Sequence, residues 1–137
     1  MKRFFSILAV SILTFSLLTA AAPLPNTTFT LEPELGLPEI MNVGDTFTVI
    51  VQVNSDQQFI SAQALPSFQY PGKGVVAVQG GSRAGAGTSA TLPVTFKAKS
   101  STERMPGGFA PVYVVVGVRY AGGYVAVQEY LFNVTVP

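Results

Sequence analysis

The sequence contains no cysteine, no histidine and no tryptophan. Without cysteine it has no disulfide and no thiolate nucleophile, and without histidine it lacks the commonest general base and most transition-metal ligands. A hydrolase built on this chain would have to use carboxylates or a Ser–Lys pair. We therefore expect a protein that is not an enzyme, with no catalytic residues and no cofactor.

Charged residues are also scarce, since they make up 11% of the 137 residues, against roughly a quarter in an ordinary globular domain. Glu32 and Glu34 would point to the same side of a strand, but Pro33 between them favours a solvated edge over a catalytic pair. A calcium site with Glu32, Glu34, Glu39 or Asp45 is chemically allowed, because calcium takes several oxygen ligands. No loop has the Asp-x-Asp spacing of a specific site, so no metal site is predicted.

The N-terminal residues 1–21 have the pattern of a secretory signal peptide. Two basic residues precede an uncharged apolar run over residues 4–18, and small residues follow at 19–22. The run is shorter than the about 20 apolar residues of a transmembrane helix, and Pro23 follows closely. We expect cleavage after Ala21 and an exported protein that is periplasmic, at the cell surface or secreted. A retained N-terminal anchor is the alternative.

Removal of the signal peptide leaves no basic surface for nucleic acid. Six basic residues remain (8 minus 2) against seven acidic ones, a formal charge of −1. Residues 85–90 fit the Gly-x-Gly-x-x-Ala pattern of a dinucleotide site. That pattern needs a helix N-terminus behind it, whereas a strand pattern with Pro93 inside it follows. Neither nucleic acid nor a nucleotide is a predicted partner.

Strand patterns dominate the chain after the signal, because every strong segment alternates apolar and polar residues with period two. We predict a proline-rich extended lead-in at 22–44 with one edge strand, and then one domain at 45–137. The architecture expected is an all-β, immunoglobulin-like sandwich of about seven antiparallel strands; a closed barrel is the alternative. The predicted strands are 27–32, 46–53, 59–65, 74–79, 91–98, 112–120 and 124–136.

The connections carry further expectations. Residues 54–58 have turn chemistry, and the four glycines in 80–87 indicate a flexible surface loop. Pro93 suggests that its strand lies at a sheet edge or beside a bulge. The β-branched run 112–120 favours a central strand covered on both faces, and residues 121–123 form a tight hairpin to the last strand.

Three phrases resemble a known group of modules. Val43-Gly44-Asp45-Thr46-Phe47-Thr48-Val49 is similar to the strand-opening phrase of bacterial and archaeal cell-surface immunoglobulin-like modules, including cohesin-like domains. Residues 89–96, and then 106–109 leading into 112–114, resemble the second half of CARDB-like adhesion sandwiches. The resemblance implies adhesion, surface-layer or scaffold roles, with some carbohydrate-associated members. It carries over no functional residue.

Two surfaces are candidate sites. On the last strand Leu131, Asn133 and Thr135 face outward with one charge nearby, and Val115 lies on the second face of the central strand, so these four residues form the candidate interface. The candidate aromatic surface for a sugar or partner protein consists of Phe109, Tyr120 and Tyr124.

The function that fits these observations is protein–protein interaction or assembly in the cell envelope or extracellular space. Partners would be other envelope or extracellular proteins, or a second copy. Membrane contact would occur only through an uncleaved signal or a partner. A carbohydrate-binding module is the alternative, and a flat exposed array of the three aromatic residues would favour it.

Overall fold

The computed structural model describes residues 23–67, 76–80 and 82–137. The predicted signal peptide lies outside these residues and stays a prediction. Within the described part of the chain, no helix has the length and apolarity needed to cross a membrane. The elements are β1 (Thr27–Glu32), β2 (Thr46–Phe59), β3 (Ser61–Ser67), β4 (Val76–Gly80), β5 (Ser82–Ala84), β6 (Gly87–Ala98), a 3-10 turn (Pro106–Gly108), β7 (Ala110–Arg119) and β8 (Val125–Val134).

The strands form two four-stranded antiparallel sheets. The first sheet has the order β1-β2-β6-β4 and the second the order β5-β3-β7-β8. In immunoglobulin terms β1, β2, β6 and β4 occupy the positions of strands A, B, E and D, and β3, β7 and β8 those of C, F and G. The prediction of an immunoglobulin-like β-sandwich is confirmed. The strand predicted within the proline-rich lead-in is β1, the edge of the first sheet.

The core lies between the sheets and consists of alternate residues of the long strands. Each burial of a Val, Leu or Phe side chain stabilises the fold by about 1.5–3 kcal/mol, so aliphatic packing holds the sandwich without disulfides. The fully buried large side chains are Phe59, Phe96, Leu92, Val49, Val51, Val53, Val94, Val114, Val116, Val118, Val134 and Val136.

Strand β2 is longer than the sequence predicted, because residues 54–58 continue the strand rather than forming a turn. The register with β6 shifts between Asn54 and Phe59, so this polar stretch is an irregular extension. Its side chains have tertiary partners: the Tyr120 hydroxyl donates to Ser55 Oγ at 2.7 Å. The chain then bends at Ile60 into β3.

The glycine-rich stretch predicted as a loop contains strand β5, so that prediction is wrong. Residues 82–84 pair antiparallel with 62–64 of β3. The pairing is formed by backbone groups, so it needs no apolar pattern in residues 82–84. Residues 87–98, which include the Gly-x-Gly-x-x-Ala pattern's second half, form strand β6 and provide no helix N-terminus for a phosphate.

Strand β6 is an interior strand between β2 and β4, not an edge. Pro93 is tolerated there for a local reason. Ala98 exchanges backbone hydrogen bonds with 44–45 before β2, so alternation directs the nitrogen of Pro93 toward the β4 side. The pairing of β4 ends at Thr95, after a register shift between Val78 and Gly80. The missing N–H of Pro93 therefore faces no ladder partner among the described strands.

Strand β7 is central in its sheet, as predicted, between β3 and β8. The prediction that both of its faces are covered is wrong, because only the inner face is fully covered. Val112, Val114, Val116 and Val118 are buried in the core, whereas the residues between them are half-buried on the outer face. The predicted hairpin is also found: the Tyr120 N–H donates to the Tyr124 carbonyl at 2.9 Å.

Candidate interaction surface

The outer face of the first sheet is polar. Thr30 of β1, Gln52 of β2 and Thr91 of β6 stand side by side in register. The Thr91 hydroxyl donates to Gln52 Oε1 at 2.7 Å, and the Thr48 and Thr95 hydroxyls are 2.8 Å apart. Polar groups of this threonine-rich face thus form hydrogen bonds with neighbouring side chains. This face is the reference against which the outer face of the second sheet can be compared.

The outer face of the second sheet is aliphatic. Strand register places Leu65 beside Val115, Tyr113 beside Leu131, and Val127 beside Gly117. Leu65, Val127 and Leu131 are 47%, 61% and 52% exposed. We call Leu65, Tyr113, Val115, Val127 and Leu131 the aliphatic face. Contiguous exposed apolar surface of this kind marks an interaction site in soluble proteins.

The structure brings together three of the four residues of the candidate interface. Val115 is half-buried on the outer face, next to Glu129 of β8. Leu131 and Asn133 come after Glu129 on β8, and both are exposed on the same outer face. Thr135 is exposed too, but its backbone is bridged to Ile40, so it lies where the chain before β2 covers the end of β8.

Leu65 and Val127 belong to this surface and were missed from the sequence. A signal existed for Leu65, because Ala62 and Ala64 face the core and period two then directs Leu65 outward. Val127 shares the outward parity of Leu131. Its exposure follows from its cross-strand neighbour Gly117, which has no side chain to cover it.

The three aromatic residues do not form one surface. Tyr120 is buried and its hydroxyl lies 2.6 Å from Thr27 Oγ1. Phe109 precedes the first residue of β7, whereas Tyr124 lies beyond its last residue, and a ten-residue strand spans about 33 Å. Phe109 and Tyr124 are 38% and 37% exposed and lie at opposite ends of β7.

Tyr124 lines a shallow depression of about 240 Å³ with Pro25, Gln57 and Gln58 among its walls. Its ring is tilted against that of Tyr120, with centroids 5.8 Å apart. One half-exposed ring offers a single stacking position rather than the flat array that a sugar-binding face requires.

The carboxylates serve the backbone or solvent. Asp45 Oδ2 accepts from the Asn42 N–H at 2.9 Å, and Asp56 Oδ1 accepts from the Asn26 N–H at 2.8 Å. In the part of the chain that the structure describes, no three acidic side chains lie close enough to hold a metal ion. Glu129 is different because it stands in the aliphatic face.

Comparisons with known proteins give only distant structural likenesses. No family model matches this sequence, and a search of curated proteins finds no relative. The chain is similar to the native conformation of Escherichia coli alpha-2-macroglobulin (16% identity, TM-score 0.47, 81% of this chain and 6% of that one). A crystal structure of the same protein from domain MG7 to the C-terminus gives 15% identity and a TM-score of 0.49, with 82% and 16% covered.

The major pilin subunit of Bacillus cereus is similar at 9% identity with a TM-score of 0.40, over 82% of this chain and 40% of the pilin. The chain thus spans a small part of the macroglobulin and less than half of the pilin. These likenesses concern the course of the backbone and carry no functional residue.

Proposed function

We propose that this protein is an exported, non-enzymatic immunoglobulin-like domain that binds other proteins of the cell envelope or extracellular space through its aliphatic face. The observation that carries the proposal is the contrast between the two outer faces. Both belong to the same sandwich, yet the first face presents mainly threonine and amide side chains, whereas the second presents mainly Leu, Val and Tyr around Glu129.

The energetic consequence of that contrast favours association. Burying apolar surface contributes about 25 cal/mol per Å², and Leu65, Val127 and Leu131 are each about half exposed or more. Covering them adds favourable energy, whereas covering the threonine face would remove its hydroxyl and amide groups from water, which costs free energy unless the partner replaces those hydrogen bonds. Export is supported by the signal-peptide pattern, and an interaction role by the absence of histidine and cysteine.

The test is capture by the exported protein from its own envelope fraction. Leu131→Lys and Val115→Lys place a charge in the aliphatic face, and we expect both variants to lose captured proteins while keeping the wild-type melting temperature within a few degrees. Thr30→Lys, on the opposite face, is the matched control and should capture as the wild type does.

Three results would overturn the proposal. One is equal capture by all variants. A second is unfolding of Val115→Lys, because that would place Val115 in the core rather than on the surface. The third is a wild-type protein that captures no protein but is retained by a polysaccharide column, which would favour the carbohydrate-binding alternative.

A further inference from the structure

Strand β8 is the longest sheet edge in the described chain. The four edge strands are β1, β4, β5 and β8, with 6, 5, 3 and 10 residues. An edge strand presents a row of unpaired N–H and C=O groups that another extended chain can pair with. Ten residues provide enough of these groups to hold a further strand.

The hydrogen bonds of Thr135 identify which groups are free. Its N–H donates to the Glu39 carbonyl at 2.8 Å and its carbonyl accepts from Met41 at 3.0 Å, so both point away from β7. Because backbone groups alternate sides along a strand, the groups of every second residue from Val125 to Asn133 point the same way. Among the described residues no strand lies against that stretch.

Apart from the charge of Glu129, the usual protections of an edge are missing along this stretch. Residues 125–133 contain no proline and no lysine, and their register with β7 has no bulge. One carbonyl, that of Glu129, accepts from the Gln128 side-chain amide at 2.9 Å. Natural proteins block long edges with prolines, lysines or bulges, so the open edge of β8 is consistent with a binding role.

Space for a further strand exists beside the edge. A groove of about 420 Å³ separates the start of β8 from the start of β1 and is lined by residues 25–27, Phe29 and residues 124–128. Most of the lining is polar. A segment in this groove would therefore form backbone hydrogen bonds and direct small or polar side chains inward, while its alternate side chains would extend the aliphatic face.

The charge of Glu129 favours a partner protein over a second copy of this chain at the edge of β8. Glu129 is the midpoint of the free stretch 125–133, so antiparallel pairing of two copies over the whole stretch would set Glu129 opposite Glu129. Like charges directly opposite are destabilising. No described residue forms an ion pair with Glu129, and a basic side chain on an incoming strand would supply that partner.

We propose that the free edge of β8 accepts an extended segment of a partner protein as a fifth strand of the second sheet, with a lysine or arginine beside Glu129 and apolar residues beside Val127 and Leu131. This inference rests on the proposed function and specifies the mode of binding. The two proposals can be tested separately. Strand addition requires the outward N–H groups of β8, whereas docking on the aliphatic face requires only side chains.

The experiment uses two fluorescent peptides and the exported protein. The probe is Val-Thr-Val-Thr-Lys-Thr-Val-Thr-Val, whose palindromic order makes it independent of strand direction, and its control carries Glu in place of Lys. We expect the Lys peptide to bind, with protection of the amides of Val127, Glu129 and Leu131 from hydrogen exchange. The Glu peptide should bind at least about tenfold more weakly, and Glu129→Gln should remove most of that difference.

A matched pair of variants isolates the backbone. Val127→Pro removes one outward N–H, and proline is accepted on an edge strand at such a position. Val127→Thr keeps the N–H and the branched side chain. Because Val127→Thr also loses apolar contact, the comparison between the two variants measures the backbone contribution, and we expect Val127→Pro to bind the Lys peptide about fivefold to tenfold more weakly than Val127→Thr does.

The outcomes separate this inference from the proposed function. No binding of the Lys peptide up to about 1 mM, equal binding of both peptides, or no effect of Val127→Pro would overturn strand addition. If Leu131→Lys still abolished capture in those cases, the aliphatic face would stand as the interface. Dimers of the wild type that Val127→Pro dissociates would overturn the choice of a partner protein over a second copy.

Discussion

Thr102 is a buried polar residue on which the end of the sandwich depends. It is fully buried, and its hydroxyl accepts from the Val136 N–H at 2.9 Å and lies 2.7 Å from the Gly108 carbonyl, to which it donates. The Thr102 N–H donates to the Val136 carbonyl at 2.8 Å. One side chain thus ties the loop before β7 to the end of the chain.

We predict that Thr102→Val lowers the free energy of unfolding by about 2 kcal/mol, because it leaves the Val136 N–H buried without a partner. Urea unfolding measures the change. Thr30→Val, an exposed threonine, is the control and should stay within about 0.5 kcal/mol of the wild type. A loss equal to that of the control would contradict the buried bond.

Tyr130 is a single residue that makes the stability of the fold depend on pH. Desolvation by burial raises the pKa of its phenol above the ordinary value, and its ring stacks on Phe132. The folded state therefore holds this proton more tightly than the unfolded state does. The stability that this difference represents is present below the unfolded pKa of about 10 and is lost as the pH rises through the folded pKa.

We predict that the urea midpoint of the wild type falls between pH about 9 and about 11 and that Tyr130→Phe shows a shallower fall. The two proteins should have similar midpoints at the lower pH, where the phenol is protonated in both states. Parallel pH profiles would show that the phenol of Tyr130 is as well solvated in the folded protein as in the unfolded one.

At the scale of elements, the segment between β1 and β2 is held against β8 by a close approach. Gly36 has a φ of +75°, and a Cβ there would overlap the ring of Phe132. Gly44 in the same segment has a φ of +95° but open space where its Cβ would stand. Both glycines have a positive φ, which disfavours any side chain, but only Gly36 also lacks space for a Cβ.

We predict that Gly44→Ala costs about 1 kcal/mol, the usual penalty for a side chain at positive φ. Gly36→Ala should cost at least about 1–3 kcal/mol more, since Phe132 must also move. Thermal melts of the two variants measure the difference. Equal losses would mean that the segment does not press on β8 in solution.

The same scale shows what the sequence could predict. Period two located the long strands, because the alternation of apolar and polar residues shows which face is buried, and the β-branched run 112–120 indicated the central position of β7. The sequence predicted turns and loops at residues 54–58 and 82–84 because polar and glycine-rich stretches become strands only through partners elsewhere in the chain. These partners are β1 for the first stretch and β3 for the second. For Pro93 the sheet-edge alternative is wrong, since the pairing of β4 with β6 up to Thr95 cannot be predicted from local sequence, whereas the bulge alternative agrees with the register shift of β4 near Thr95.

At the scale of the whole molecule, the candidate site was predictable in part. The outward positions of β8 follow from alternation, so Leu131 and Asn133 were found. Leu65 joins them only because β3 lies beside β7, which is a matter of topology. The aromatic residues were grouped by their nearness in the sequence, whereas a strand between them carries Phe109 and Tyr124 to opposite ends.

The contrast between the two outer faces leads to a prediction for the molecule as a whole. Leu65→Thr, Val127→Thr and Leu131→Thr together would make the second sheet resemble the first, because threonine keeps the β-propensity of the residues that it replaces. Each site is exposed, so we expect the melting temperature to change by only a few degrees, with each substitution contributing within about 0.5 kcal/mol.

Binding should change far more than stability. We expect the triple variant to elute earlier from a hydrophobic-interaction column and to lose the proteins that the wild type captures. Ile50→Thr, which removes an aliphatic side chain from the threonine-rich face, is the control and should keep capture. Full capture by a triple variant that elutes early would show that exposed aliphatic surface is not what the partner recognises, and would leave the backbone edge of β8 as the remaining feature of the second sheet that binds it.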